Sequence, residues 1–252
     1  MIDIINGSCL IELEKFEDNT FDALITDPPY SSGGSNLSAR QRTTAQKYAT
    51  EKSKDIAVRY PNFSGDNKDQ RSWTRWTAEW LELARTKCKI GAPIVMFIDW
   101  RQLPSLTDAM QWADWTWRGI AVWDKKHSHP QRGRFRQDGE FILWGSNGDM
   151  PLTRQAPIIP GVLQYQNVAV GPKRFHQTQK PLELMKEIVK ICEPGGHILD
   201  PFAGSGTTLI AADQQGYDAT GIELSQAYYR IAKDRMTELG VYRAMSQLDS
   251  KI

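Results

Sequence analysis

A carboxylate, a backbone carbonyl left free by a proline and an aromatic ring fall within four consecutive residues, Asp27-Pro28-Pro29-Tyr30. The apolar run Phe21 to Thr26 precedes them and follows the turn-prone Asp18-Asn19-Thr20, a pattern that predicts a buried strand. The two prolines must end that strand, because neither donates to a ladder and each fixes its φ. Pro28 also keeps Asp27 out of helical geometry. The product is a rigid loop at the carboxyl end of a strand, the place where open α/β sheets bind ligands. A second chemical signal lies far down the chain. Gly204-Ser205-Gly206 follows a short predicted strand and precedes a helix, so the backbone can approach a ligand beside unpaired helical N–H groups. Glu223 ends the next strand about 20 residues on, where an acid can bind two ribose hydroxyls. The phosphate-gripping loop is excluded, since it needs Gly-Lys-Ser/Thr and Thr207 follows Gly206 here. The dinucleotide pattern wants a third glycine where Leu209 stands. What remains is a nucleoside-binding signal.

These loops need elements to hold them. Residues 2–5 predict a strand closed by Asn6-Gly7, and Leu10, Leu13 and Phe16 mark one helical face. Trp73, Trp76, Trp80, Leu81, Leu83 and Ala84 predict an amphipathic helix ending near Gly91, its tryptophans serving as core. Strands are predicted at 93–98, 119–123 and 140–144, and a helix at 103–112. Residues 150–171 are punctuated by proline and glycine and suggest an irregular subdomain. Pro181 opens a helix with Leu182, Met185, Ile188, Val189 and Cys192 on one face, and Gly195-Gly196 stops it. Residues 197–200 form a strand, 201–206 a loop and 207–215 a helix. The strand 217–222 and a last helix capped by Ser225 complete a βαβ unit.

The 252 residues suit one α/β domain with insertions, at 40% hydrophobic, 24% charged and net charge +1. No apolar run approaches the ~20 residues of a membrane span, and the first residues carry no secretory signal. Cys9, Cys88 and Cys192 are odd in number, widely spaced and without C-x-x-C. They are expected as reduced thiols in a cytoplasmic protein.

Asp27-Pro28-Pro29-Tyr30 near the N-terminus, His176-Gln177-Thr178-Gln179-Lys180-Pro181, and Asp200-Pro201-Phe202-Ala203-Gly204-Ser205-Gly206-Thr207-Thr208 near the C-terminus together resemble the β group of amino DNA methyltransferases. The order is theirs: catalytic motif first, recognition region in the middle, cofactor motif last. The resemblance implies a Rossmann-like, doubly wound, mostly parallel sheet with circularly permuted motif order and an inserted target-recognition region. It implies a single catalytic domain over 1–252, with 31–71 a flexible basic loop touching DNA and 128–175 the recognition insertion. The implied reaction is methyl transfer from S-adenosylmethionine to the N6 amino group of adenine in double-stranded DNA. The alternatives are cytosine N4 or a non-catalytic DNA-binding protein that keeps a nucleoside pocket. Adenine is preferred because the cytosine enzymes more often carry serine at the place of Asp27. Asp27 and the Pro28 carbonyl would accept the amino hydrogens, with Pro29 fixing the loop and Tyr30 stacking on the extruded base. The cofactor is assigned to Asp200, Pro201, Phe202, Ala203, Gly204, Ser205, Gly206, Thr207 and Thr208, with Phe202 and Gly204 lining methionine and adenosine. Glu223 would take the ribose, and Thr178 with Lys180 the methionine carboxylate. Where the family often has Gly-Asp-Cys, this chain has Gly7-Ser8-Cys9, and Ser8 can still accept one hydrogen bond near the adenine. A homodimer and a cognate restriction endonuclease are compatible with the resemblance.

Two basic stretches are candidates for phosphate contact. Between Ser31 and Arg75 nine Lys or Arg, Arg40, Arg42 and Lys47 among them, face four acids. Residues 125–136 hold Lys125, Lys126, Arg132, Arg134 and Arg136 and no acid. The last three alternate, so on a strand they would share a face. His127 and His129 lack a partnering cysteine or acid cluster, so no metal site is expected.

Overall fold

The computed structural model describes residues 1–31, 68–126, 132–168, 175 and 179–241. Arg40, Arg42, Lys47, His127, His129 and Thr178 lie outside the described residues, as do most of the 31–71 loop and parts of 128–175.

Alternation of side chains builds two cores on one sheet. The strands are β1 (Ile2–Asn6), β2 (Ala23–Thr26), β3 (Pro93–Ile98), β4 (Thr116–Asp124), β5 (Gly139–Ser146), β6 (Val162–Gln164), β7 (His197–Asp200) and β8 (Asp218–Glu223). Among the described residues they pair in the order β1-β8-β7-β2-β3-β5-β4-β6. β5 alone runs against its neighbours; the other pairings are parallel. β2 is buried along its whole length, as a strand covered on both faces must be. Ala23, Ile25, Val95 and Phe97 point into one core, and Leu24, Ile94, Met96 and Ile98 into the other.

The helices are α1 (Cys9–Glu12), α2 (Gln70–Lys87), α3 (Leu103–Trp112), α4 (Leu182–Ile188), α5 (Thr207–Gln214) and α6 (Gln226–Glu238). α1, α2 and α3 cover the Leu24 side, whereas α4, α5 and α6 cover the Ile25 side. The sheet is therefore doubly wound, and the strand order reverses direction between β7 and β2, the switch point where such folds open a crevice. α2 is the long support of the first face. The Asp69 side chain caps it by accepting from the N–H of Arg71 and Ser72 at 3.1 Å each. Trp73, Thr77, Trp80, Leu81 and Ala84 form its buried stripe.

Three local expectations change. Residues 132–138 form turns and irregular chain leading into β5, so Arg132, Arg134 and Arg136 do not share a strand face; no apolar alternate set is present to hold such a strand against a core. The region 150–171, expected to be irregular, contributes β6, which adds to the sheet beside β4. The first helix is only one α turn, continued as a 3₁₀ turn at Leu13–Lys15. Among the described residues no helix is long and apolar enough to cross a membrane, and no group of three or more metal-ligating side chains occurs. The three cysteines are buried and unbridged.

Candidate active site

Strand order lays the chemical groups out in a row along one edge of the sheet. β1 ends at Asn6, opposite Glu223 of β8, and runs straight into Gly7 and Ser8. β8 lies beside β7, which ends at Asp200, and β7 lies beside β2, which ends before Asp27. Because β5 is reversed, its first residues, not its last, meet this edge, and Glu140 comes with them. A cleft of about 290 Å³ opens there, lined by Ser8, Asp27, Tyr30, Phe202, Gly204 and Glu223 among others. The two loops that the sequence singled out thus share one cavity.

The glycine loop is shaped by positions that need positive φ. Gly204 sits at φ +53° and Gly206 at +78°, conformations that cost most side chains energy. Gly206 precedes the first turn of α5. The Glu223 carboxylate holds the loop to β8, accepting from Gly204 N at 2.9 Å and Ser225 N at 2.7 Å. Burial pushes its carboxyl above the ordinary value, against the pull of those two N–H groups. Arg235 reaches in from α6, donating to Ser205 Oγ at 2.9 Å and Thr207 Oγ1 at 3.3 Å.

Asp200 joins the two loops. It is 2% exposed and accepts from Thr26 Oγ1 at 2.6 Å and Phe202 N at 3.1 Å. Desolvation raises its pKa from 3.8 to about 6, with Thr208 and Thr26 opposing. An acid so raised binds a proton in the folded state that the unfolded chain has lost. Stability therefore falls as pH rises between about 4 and 6, and above that window the ionised form carries the full cost. Asp200→Asn keeps an oxygen acceptor and removes the charge. It is expected to stabilise the protein at pH 7.5 by no more than about 3 kcal/mol, the gain shrinking to about a third of that by pH 4.5. Urea unfolding midpoints at the two pH values measure this, and an equal or reversed gap would contradict it.

The catalytic loop is braced from α2. Trp73 Nε1 donates to the Pro29 carbonyl at 2.7 Å, and Trp76 and Trp80 pack edge-on against Phe202 at 5.5 and 5.0 Å. Expected as core, the tryptophans also support both loops, and Trp76 lines the cleft. Asp27 sits in a charged cluster. Lys180 Nζ is 2.5 Å from Asp27 Oδ2 and 3.0 Å from Glu140 Oε1. Tyr30 OH donates to Asp27 Oδ1 and lies 3.0 Å from Glu140 Oε1. Lys125 Nζ is 2.7 Å from Glu140 Oε2. Burial raises the Asp27 carboxyl, with Lys180 drawing it back. Glu140 is also buried, yet Lys180 and Lys125 together hold it below the ordinary value. The Tyr30 hydroxyl is pushed well up by burial and by the two carboxylates.

Two expected roles meet a different geometry. Lys180, assigned to a methionine carboxylate, is committed to Asp27, Glu140 and Tyr30. Lys125, assigned to phosphate, turns inward to Glu140 and lies over the Trp123 ring at 5.2 Å. Arg136 pairs with Asp138 at 3.2 Å, while Lys126, Arg132 and Arg134 are exposed. Glu140 went unnoticed in the sequence, where a lone acid at the start of a strand gives no signal.

A model of the N6/N4 DNA methylase family matches residues 21–234. M.HindIII, a type II methyltransferase of Haemophilus influenzae, is 24% identical over 295 residues, covering 94% of this chain and 96% of its own. Among solved structures, the M1.HpyAVI–SAM complex superposes with a TM-score of 0.66 at 23% identity, covering 94% of this chain and 99% of that one. The cytosine-N4-specific PvuII DNA methyltransferase gives 0.65 at 17% identity, over 100% and 88%. With most of its length matched, the chain belongs to the N6/N4 family of DNA methyltransferases.

Proposed function

We propose that the protein transfers the methyl group of S-adenosylmethionine to the N6 amino group of adenine in double-stranded DNA. The observation carrying this reading is that Asp27 and Tyr30 share one cleft with the glycine loop and Glu223. The residues present fit the cofactor. Gly204 offers a stretch of backbone where an added Cβ would find only Phe202 O at 4.0 Å, so a ligand can lie against it. Glu223 retains acceptor capacity beyond its two N–H bonds for ribose hydroxyls, Phe202 offers a ring, and Ser8 a hydroxyl at the rim. Bound there, S-adenosylmethionine supplies an electrophilic methyl on a sulfonium.

The rest of the work falls to the chain. An exocyclic amino nitrogen is a poor nucleophile because its lone pair is delocalised into the ring. The Asp27 carboxylate and Pro28 carbonyl accept its two hydrogens, favouring a pyramidal nitrogen whose lone pair is available. Trp73 fixes the loop through Pro29 before substrate arrives, which is the preorganisation such acceptors need. The Tyr30 ring receives a base swung out of the duplex. Exposed Arg132 and Arg134 at the same edge suit backbone phosphates. Adenine is favoured over cytosine by the carboxylate at position 27. A homodimer and a cognate endonuclease remain compatible partners, tested by sizing and by cleavage of unmodified against modified DNA.

The test is to methylate unmodified plasmid with labelled cofactor and digest it to nucleosides. N6-methyladenine is the expected product; N4-methylcytosine alone would overturn the choice of base.

A further inference from the structure

Lys180 stands where transfer to a base would require the substrate nitrogen. Its Nζ occupies Asp27 Oδ2 at 2.5 Å, while Tyr30 OH occupies Oδ1. Both carboxylate oxygens already accept a donor. An ammonium left on Oδ2 opposes the positive charge that builds on an amino nitrogen as it takes up a methyl group, so Asp27 acts at full strength only when the lysine withdraws. The same Nζ is 3.0 Å from Glu140 Oε1. A second carboxylate is therefore in place to keep the ammonium when Asp27 releases it. Lys180 is 6% exposed and packed over the rings of Phe97 at 4.7 Å and Tyr30 at 5.5 Å. Those rings confine it to the neighbourhood of the two acids.

We propose that Lys180 is an internal stand-in for the target amino group, and that Glu140 is the positioning residue that takes it over when the base enters. The proposal rests on the reading of Asp27 as the acceptor of the amino hydrogens. A buried carboxylate without a partner is costly and tends to take up a proton. The lysine keeps Asp27 ionised and aimed between turnovers. Glu140 allows it to withdraw without leaving a buried ammonium unpaired. Lys125, held on the far oxygen of Glu140, completes a cluster of two cations and two carboxylates. Neutralising Glu140 leaves Lys180 with Asp27 as its one carboxylate in the cluster, and the ammonium stays on the acceptor.

The test is a double-variant cycle in single-turnover methylation of unmodified plasmid at saturating S-adenosylmethionine. Glu140→Gln is expected to slow the step tenfold or more while the cofactor Kd, from equilibrium dialysis, stays within twofold. Adding Lys180→Met to Glu140→Gln is expected to recover at least threefold of that loss, because the opposing cation is gone. In the ligand-free protein, the fall in melting temperature caused by Glu140→Gln should be smaller in the Lys180→Met background. Lys180→Met alone should move the rising limb of the pH–rate profile to higher pH. Among the described residues it leaves Asp27 facing Tyr30 and Glu140, with Asp200 nearby and no cation in contact. An unmoved profile overturns the proposal even if Glu140→Gln fails to fold. Wild-type rate in Glu140→Gln, or a double variant no faster than it, overturns the proposal while the functional reading stands. A wild type that methylates no DNA defeats both.

Discussion

Asp27→Ala is expected to reduce methyl transfer by about 10²–10³-fold or more, the scale set by removing one preorganised acceptor from a water-poor site. Cofactor binding should survive, because Asp27 belongs to the β2 loop and the glycine loop is held from elsewhere, by Glu223 and Arg235. The fold should survive as well. Tyr30 and Lys180 lose one partner but keep Glu140 within 3.0 Å, so no buried ammonium is stranded. Equilibrium dialysis with labelled cofactor and a single-turnover assay separate the two effects. Turnover within tenfold of the intact protein would remove Asp27 from the mechanism. Loss of cofactor binding would mean that the two loops are not independent supports.

Glu223→Ala should do the opposite. It removes the common acceptor of Gly204 N and Ser225 N together with the group assigned to the ribose. Losing a charged acceptor for the ribose hydroxyls costs about 1.5–3 kcal/mol of binding. That corresponds to roughly 10–100-fold in cofactor Kd. At saturating cofactor the rate should stay close to that of the intact protein, since no group touching the amino nitrogen has changed. Glu223→Gln keeps one acceptor oxygen and should fall between the two. An unchanged Kd in the alanine variant would reduce Glu223 to a brace for the loop.

Asp27-Pro28-Pro29 and Gly204-Ser205-Gly206 are legible in the sequence because their meaning is local: proline ends a strand, and glycine permits φ above zero. The apolar strands β2 and β3 are legible for the same reason. Glu140 is not, because its role arises from the β3–β5 register, which sets it one strand away from β3 and within reach of a lysine 40 residues further on. Trp73 was legible as a buried ring at helical spacing, but periodicity carries no information on where an indole N–H points. The alternating arginines at 132–136 misled because alternation of charge alone, without an apolar face to bury, does not make a strand.

The placement of β1 has a consequence for how the molecule is made. Among the described residues β1 pairs in the sheet with β8 alone, and Asn6 meets Glu223 across 217 positions of sequence. At the usual pace of synthesis the ribosome needs roughly 10–40 s to cover that distance. For that interval the first strand has no ladder to join, and the loop carrying Asp27 lacks β7 beside it. The nascent chain must therefore protect an unpaired strand until β8 emerges, and chains stalled before His197 should remain cleavable by protease within residues 2–6.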